Sequence, residues 1–266
     1  LFIKFGSKCL SMLEGMFAFA IYDTQENQIF CARDQFGIKP FYYYAEKDKF
    51  WFSSELKSFF LINKNIKKNE KAIFRYLASE YHEHIKETYY KDIFKVKPGH
   101  YVIVKNKKII EKSYWKFEDQ YYKTSLPKNY QERKSYFKDL IFESVRKSMI
   151  SDVPLSITAS GGLDSSILQI AAKKYNPDIN LISWIFKNKN FSEKKYIDEV
   201  NKTTKFKTLM NLVSPEDFLS QIKKSIHINE EPFSGLPIIC YYLCLKKLCQ
   251  NKVILDGSGL DEAHTG

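Results

Sequence analysis

Cysteine is sparse and unpatterned in this chain. The five present, Cys9, Cys31, Cys240, Cys244 and Cys249, fit neither zinc-ligand spacing nor an even disulfide framework. A reducing, cytoplasmic setting is therefore expected. No apolar run approaches the roughly 18 residues of a membrane span, and no signal-peptide pattern opens the chain, so no membrane partner is expected. Internal repeats and low-complexity tracts are missing too. So is the lysine that would turn a glycine-rich turn into a GxxxxGK[ST] phosphate loop.

What is present is an ordinary globular composition, 44% hydrophobic and 27% charged over 266 residues, enough for one large or two ordinary domains. The net charge of +11 raises the question of nucleic acid. Its lysines, however, are scattered among Asn, Ile and Tyr, as in residues 64–68 and 105–112. No nucleic-acid partner is expected, although a basic surface helps to attract anionic substrates. The chain opens at Leu1 without methionine and stops at Gly266, just past a glycine- and acid-rich turn, which reads as a piece of something longer.

Residues 15–60 carry short apolar runs split by turns: "GMFAFAIYD", "IFCARD", "FYYY" and "KFWFSS". These predict an antiparallel sheet. The first run does not alternate strictly, which suggests burial on both faces, as in a layered sandwich. "EKAIFRYLASEYH" predicts a helix with Ile73, Leu77 and Tyr81 on one face, and "FKVKPGHYVIVKNKKIIEKSYW" a hairpin with its tip at Asn106-Lys107. "EDQYYKTSLPKNYQ" reads as a linker. The period then changes. An amphipathic helix bearing Phe137, Leu140, Ile141 and Val145 leads into alternating strands ("PLSITA", "LISWIF", "FKTLMNLV", "KVILD") and helices. Ser214-Pro215-Glu216-Asp217 has the composition of a helix start. Repeated β–α–β units predict a parallel, doubly wound sheet.

Two loops in that second half carry chemistry. Ser160-Gly161-Gly162-Leu163-Asp164-Ser165-Ser166 lies between a strand and a helix N-terminus. It reads either as a plain strand-to-helix turn or as a phosphate cradle, where free N–H groups and the helix dipole meet anionic oxygens. In the second case both glycines let the backbone approach the ligand. Asp164 then calls for a divalent cation, because an unpaired carboxylate would repel phosphate. "ILDGSGLDEAHTG" again runs a strand into glycines and acids, Asp256, Gly257, Gly259, Asp261 and Glu262, which taken alone reads as a glycine turn before a helix with an acidic first turn. Ligands bind a doubly wound sheet at the carboxyl ends of strands where the strand order reverses. If the order reverses between the first and fourth strands of this half, the loops become neighbours, and Asp164 and Asp261 share one Mg²⁺.

"ASGGLDSS" and "LDGSGLDE" resemble the pyrophosphate loop and second nucleotide loop of the glutamine-hydrolysing asparagine synthetases. "LEGMFAFAIYD", "ARDQFGIKPFYYY", "FSSELKSFF", "VKPGHYVIV" and "SDVPLSITASGG" fall in the order of that family. The resemblance implies part of an Ntn-type αββα glutaminase sandwich followed by a doubly wound sheet of the ATP-pyrophosphatase (adenine nucleotide alpha hydrolase-like) type. Residues 1–62 would end the type-2 glutamine amidotransferase domain, 63–130 would connect, and 131–266 would begin the ATP-binding domain. It implies a ligase that activates a carboxylate as acyl-AMP for attack by ammonia from glutamine. The cofactors would be ATP and Mg²⁺, the acceptor aspartate or another carboxylate, and the intact protein a homodimer. Carried over by position, Ala159, Ser160, Gly161, Gly162, Leu163, Asp164, Ser165, Ser166, Trp184, Asp256 and Gly257 would bind ATP, and Asp164 and Asp261 the metal.

This sequence departs from the family where Ser258 replaces an acid and Asp256 replaces a serine. Both changes open the reading of a relative that amidates another carboxylate, such as a sugar acid of surface polysaccharide. The catalytic N-terminal cysteine would lie before Leu1, and neither Cys9 nor Cys31 replaces it, because the mechanism uses the terminal amine as base. The residues as given are therefore expected to be inactive, and a non-catalytic remnant is the rival reading. Other candidates read as structure. His82 and His84 flank Glu83 at a spacing that does not share a helix face, and His227, close before Glu230-Glu231-Pro232, reads either as a helix C-terminal charge or as a group approaching the substrate cleft. Cys240, Cys244 and residues 42–44 read as core packing.

Overall fold

The computed structural model describes residues 1–79, 85–121, 124–233, 235–248 and 251–260. The chain divides into two compact units, Leu1–Ser125 and Leu126–Gly266.

The first unit opens with α1 (Phe2–Phe5) and a 3₁₀ turn over Gly6–Met12. Four strands follow, β1 (Ala18–Asp23), β2 (Gln28–Arg33), β3 (Tyr42–Glu46) and β4 (Lys49–Ser53). After them come α2 (Phe59–Ile62), α3 (Glu70–Ser79), β5 (Ile93–Lys95), β6 (His100–Lys105), β7 (Lys108–Ser113) and α4 (Phe117–Tyr121). The strands form two antiparallel sheets, ordered β1-β2-β6-β7 and β4-β3-β5. Side chains alternate across each pleat. Cys31 and Val102 of the first sheet therefore meet Tyr43 and Val96 of the second layer in one buried cluster. On the outer face of the first sheet, Phe30 and Tyr101 pack on Cys9 and Leu10 of the 3₁₀ turn. On the outer face of the second, Tyr44 and Ile93 pack on Leu56 and on Phe59 of α2. The expected burial on both faces of "GMFAFAIYD" follows from this layering: Phe19 and Ile21 join one cluster, Ala18 and Ala20 the other.

Two expectations are corrected here. The span 63–130 is more than a connection, because β5 pairs with β3 and β6 with β2, so its strands complete both sheets and the unit runs to Ser125. Helix α3 does not bury Leu77, which is 76% exposed; it packs through Ala72 and through Tyr76, whose ring meets Tyr89 edge-on at 5.9 Å. Tyr81 lies outside the described residues. The hairpin tip stands at Asn106 and Lys107, both with positive φ (50° and 63°), the mirror-image turn that suits twisted strands.

In the second unit α5 (Tyr130–Ser148) precedes β8 (Leu155–Thr158), α6 (Leu163–Tyr175), β9 (Asn180–Phe186), α7 (Lys194–Thr204) and β10 (Lys207–Val213). Then come α8 (Pro215–Asn229), α9 (Pro237–Leu248) and β11 (Val253–Leu255). All four strands are parallel, in the order β10-β9-β8-β11. One face carries Val145 of α5, Leu168, Ala171 and Ala172 of α6 and Ile197 of α7 against Ile157 and Leu181. Helix α9 lies against β9 and β10, with α8 beside it. Of the expected α5 face only Val145 is buried, with Ile141 partly so; Phe137 and Leu140 stay exposed.

Candidate functional site

The order of the parallel sheet reverses at β8. From there the chain steps outward through β9 and β10, then returns to lay β11 on the other side. Such a reversal opens a crevice at the carboxyl ends of the two strands, where both glycine loops emerge.

The first loop leaves β8 at Ala159, which is 4% exposed. Its amide donates to the Ile182 carbonyl at 2.9 Å, and its carbonyl accepts from the Ser183 hydroxyl at 2.5 Å. Beyond it, hydroxyls tie the turn to the helix it feeds. Ser160 Oγ accepts from the Gly162 amide at 3.2 Å and lies 3.0 Å from Ser165 Oγ. The Ser166 hydroxyl donates to the Gly162 carbonyl at 2.6 Å. Ser165 is buried and Asp164 half-buried, whereas Leu163 is exposed. Gly162 occupies the N-cap of α6 without offering a side-chain acceptor, which suits a helix end meant for an external anion.

The two glycines stand in different surroundings. Gly161 has φ +77°, and a Cβ there would stand 2.5 Å from Tyr196 Cβ and 2.8 Å from the Ile197 nitrogen. Its bareness admits the first turn of α7. A Cβ at Gly162 would meet only Ser160 Oγ, at 3.3 Å. Gly162 is therefore the glycine that keeps an open side.

The second loop presses onto the first. A Cβ on Gly257 would lie 3.1 Å from the Ser165 nitrogen and 3.3 Å from Asp164 Cβ. From β8, the Thr158 hydroxyl donates to Asp256 Oδ2 at 2.6 Å. Asp256 Oδ1 accepts from the Ser258 amide at 2.9 Å and from the Ser258 hydroxyl. The two departures from the family pattern are thus one local device, a carboxylate and the hydroxyl that holds it. Burial alone would push the Asp256 carboxyl up, but hydrogen bonds from Ser258 and Thr158 outweigh it and hold the group below the usual carboxylate range.

Asp261 and the paired histidines His82 and His84 lie outside the described residues. Among the described residues no group of three or more His, Cys, Asp or Glu side chains gathers as a metal site. Trp184, on β9, is half-buried and meets Tyr241 of α9 edge-on at 6.2 Å. Cys9, Cys31, Cys240 and Cys244 are buried, and burial pushes the Cys31 thiol up to about 12 and the Cys240 thiol to about 11. Thiols so raised are poor nucleophiles. His227 sits in the last turn of α8. Thr158 and Ser183 were not anticipated; Thr158 is a hydroxyl residue at the carboxyl end of β8, whereas Ser183 lies within β9 and carries no such signal.

Comparison with known proteins agrees with this architecture. A family model described as a glutamine amidotransferase domain matches residues 1–115, and one described as asparagine synthase matches residues 136–266. Asparagine synthetase [glutamine-hydrolyzing] 1 of Bacillus subtilis (strain 168) is 30% identical over 264 residues, 98% of this chain and 41% of that protein. A putative asparagine synthetase [glutamine-hydrolyzing] 2 of Methanocaldococcus jannaschii is 33% identical over 278 residues, all of this chain and 52% of that protein. A solved glutamine phosphoribosylpyrophosphate amidotransferase from B. subtilis aligns with 82% of this chain and 39% of its own at 14% identity and a TM-score of 0.29, too loose a likeness to carry an argument. The chain spans about half the length of the curated relatives it matches. With both halves matched in order, the chain belongs to the family of glutamine-hydrolysing asparagine synthetases.

Proposed function

We propose that the protein is an ATP-dependent, glutamine-hydrolysing amidotransferase whose acceptor is aspartate, giving asparagine. The observation that carries this reading is the contact of Gly257 with Asp164 and Ser165 at the point where the sheet order reverses. Two loops far apart in the sequence make one corner there, with uncapped amides of α6 on one side and a fixed carboxylate on the other. Backbone amides along the first turn of α6 bind and orient the phosphates, and Gly162 leaves the approach clear. Asp164, with Asp261, would hold Mg²⁺. When bound, the metal offsets charge on the departing pyrophosphate. The amides and the helix dipole do the same from the protein side. Adenylation makes the acceptor's oxygen a good leaving group, and ammonia displaces AMP.

On this reading the first unit is part of an Ntn-type αββα glutaminase, its two sheets lying between helical layers, and the second is of ATP-pyrophosphatase type. The substrates are ATP, glutamine and a carboxylate, the intact protein is a homodimer, and its compartment is the cytoplasm. A second reading, amidation of another carboxylate, is favoured by the Asp256–Ser258 pair, which places the acid of the second loop two positions earlier than the family does. ATP–pyrophosphate exchange by the intact protein across candidate acids separates the two. Exchange with aspartate supports the first; exchange with a uronic acid and none with aspartate replaces it with the second.

A further inference from the structure

We infer that Asp256 reads the ribose hydroxyls of the nucleotide, and that Thr158 and Ser258 are positioning residues that hold its carboxylate for this task. The inference rests on the nucleotide reading given above and adds to it the part of the ligand that Asp256 meets.

The argument starts from placement. Asp256 follows β11 directly, at the carboxyl edge of the sheet, and the next residue touches the first turn of α6. A carboxylate beside a phosphate cradle repels phosphate, so its ligand partner is a hydrogen-bond donor or a cation. The anchoring decides between them. Oδ1 is occupied by two donors, the amide and hydroxyl of Ser258. Oδ2 receives Thr158, which is 8% exposed and therefore approaches from the buried side. One acceptor position remains on Oδ2. A carboxylate pinned through both oxygens cannot swing to complete the near-ideal octahedron that Mg²⁺ demands. A neutral hydroxyl asks less, since it rotates its own hydrogen toward a fixed acceptor. Acidic side chains that accept from a ribose hydroxyl recur at the carboxyl edge of doubly wound sheets for this reason.

The test is equilibrium binding of ATP, 2′-deoxy-ATP and 3′-deoxy-ATP to the intact protein by titration calorimetry at fixed Mg²⁺. The unsubstituted protein should bind ATP about 10-fold or more tightly than at least one deoxy analogue, the scale of a hydrogen bond to a charged group. Asp256→Ser should bring that ratio close to one by weakening ATP toward the deoxy value. Thr158→Val should lower the ratio in the same direction, and Thr158→Ser, which keeps the hydroxyl, should restore it. A purely structural clasp between β8 and β11 would instead weaken all three nucleotides together. That outcome overturns the inference, as does a protein that binds ATP and both analogues within about 2-fold; either leaves the nucleotide site standing. A Mg²⁺ requirement lost in Asp256→Ser with the ribose ratio intact assigns the carboxylate to metal and also overturns it. Failure of the intact protein to bind ATP at all overturns both the inference and the reading beneath it. Should Asp256→Ser fold poorly, Thr158→Val, nearly isosteric with threonine, and Thr158→Ser, which keeps the hydroxyl, carry the same comparison.

Discussion

Gly161 and Gly162 are adjacent and alike in type, yet the chain uses them for different ends. Gly161 must stay bare because α7 is already there. Alanine would combine a left-handed backbone at φ +77° with a contact 2.5 Å from Tyr196 Cβ, costing about 2–4 kcal/mol by strain and overpacking together. Gly259, with φ +95° and nothing within 4 Å of a built Cβ, bears only the strain. Denaturant titration should therefore find Gly161→Ala clearly less stable than Gly259→Ala, and equal losses would sink this account. A second residue-scale prediction concerns Asp256. Its folded carboxyl titrates below its ordinary value of about 3.8, so its contribution to stability is complete above that pH and is lost as pH falls through the lower, folded value. The stability gap between the unsubstituted protein and Asp256→Asn should stay level from neutrality down to about pH 4 and narrow below it; a gap that widens in acid would reverse the sign. Glycines, serines and acids of the site were visible in the sequence because residue type carries that signal. Thr158 was not, because its partner lies 98 positions away and only strand pairing brings them together.

Elements were legible where their determinants are local. Ser214 caps α8 through the Asp217 amide, and the Asp217 carboxylate accepts from the Ser214 amide at 2.8 Å, with Pro215 in the first turn. Four consecutive residues specify that start, and the sequence read it correctly. Removing the hydroxyl with Ser214→Ala should cost about 1 kcal/mol, measured by urea denaturation, whereas Ser214→Asp should retain most of the stability. The Asn106-Lys107 tip is a similar case. By contrast, the buried side of α3 depends on Tyr89, a residue outside its own helix, so periodicity chose Leu77 when packing chose Ala72 and Tyr76. The same holds for α5, where a four-residue stripe was expected and only its C-terminal end reaches the core.

At the scale of the whole molecule, the sequence showed two kinds of patterning, short antiparallel runs and then β–α alternation, and both appear in the fold. It misplaced the seam at 62, because β5 and β6 find their partners across long intervals that no local pattern encodes. The resulting units have separate interiors. Among the described residues, the cluster around Ile157 draws on the second unit alone, and those around Phe30, Cys31 and Ile93 on the first. Ile93 and Ile157 are both fully buried, so truncation of either to alanine should cost about 2–5 kcal/mol. Because Ile93 and Ile157 each pack, among the described residues, in a cluster of their own unit, Ile93→Ala should lower the stability of Leu1–Ser125 and Ile157→Ala that of Leu126–Gly266. The double variant should then equal the sum of the singles within about 0.5 kcal/mol. Calorimetry with each variant tests this. Two unfolding components, each moved by its own substitution, agree with separate cores. A single transition with strongly non-additive losses would mean that the two interiors are energetically one, and the division of labour proposed for the halves would then need a shared folding unit beneath it.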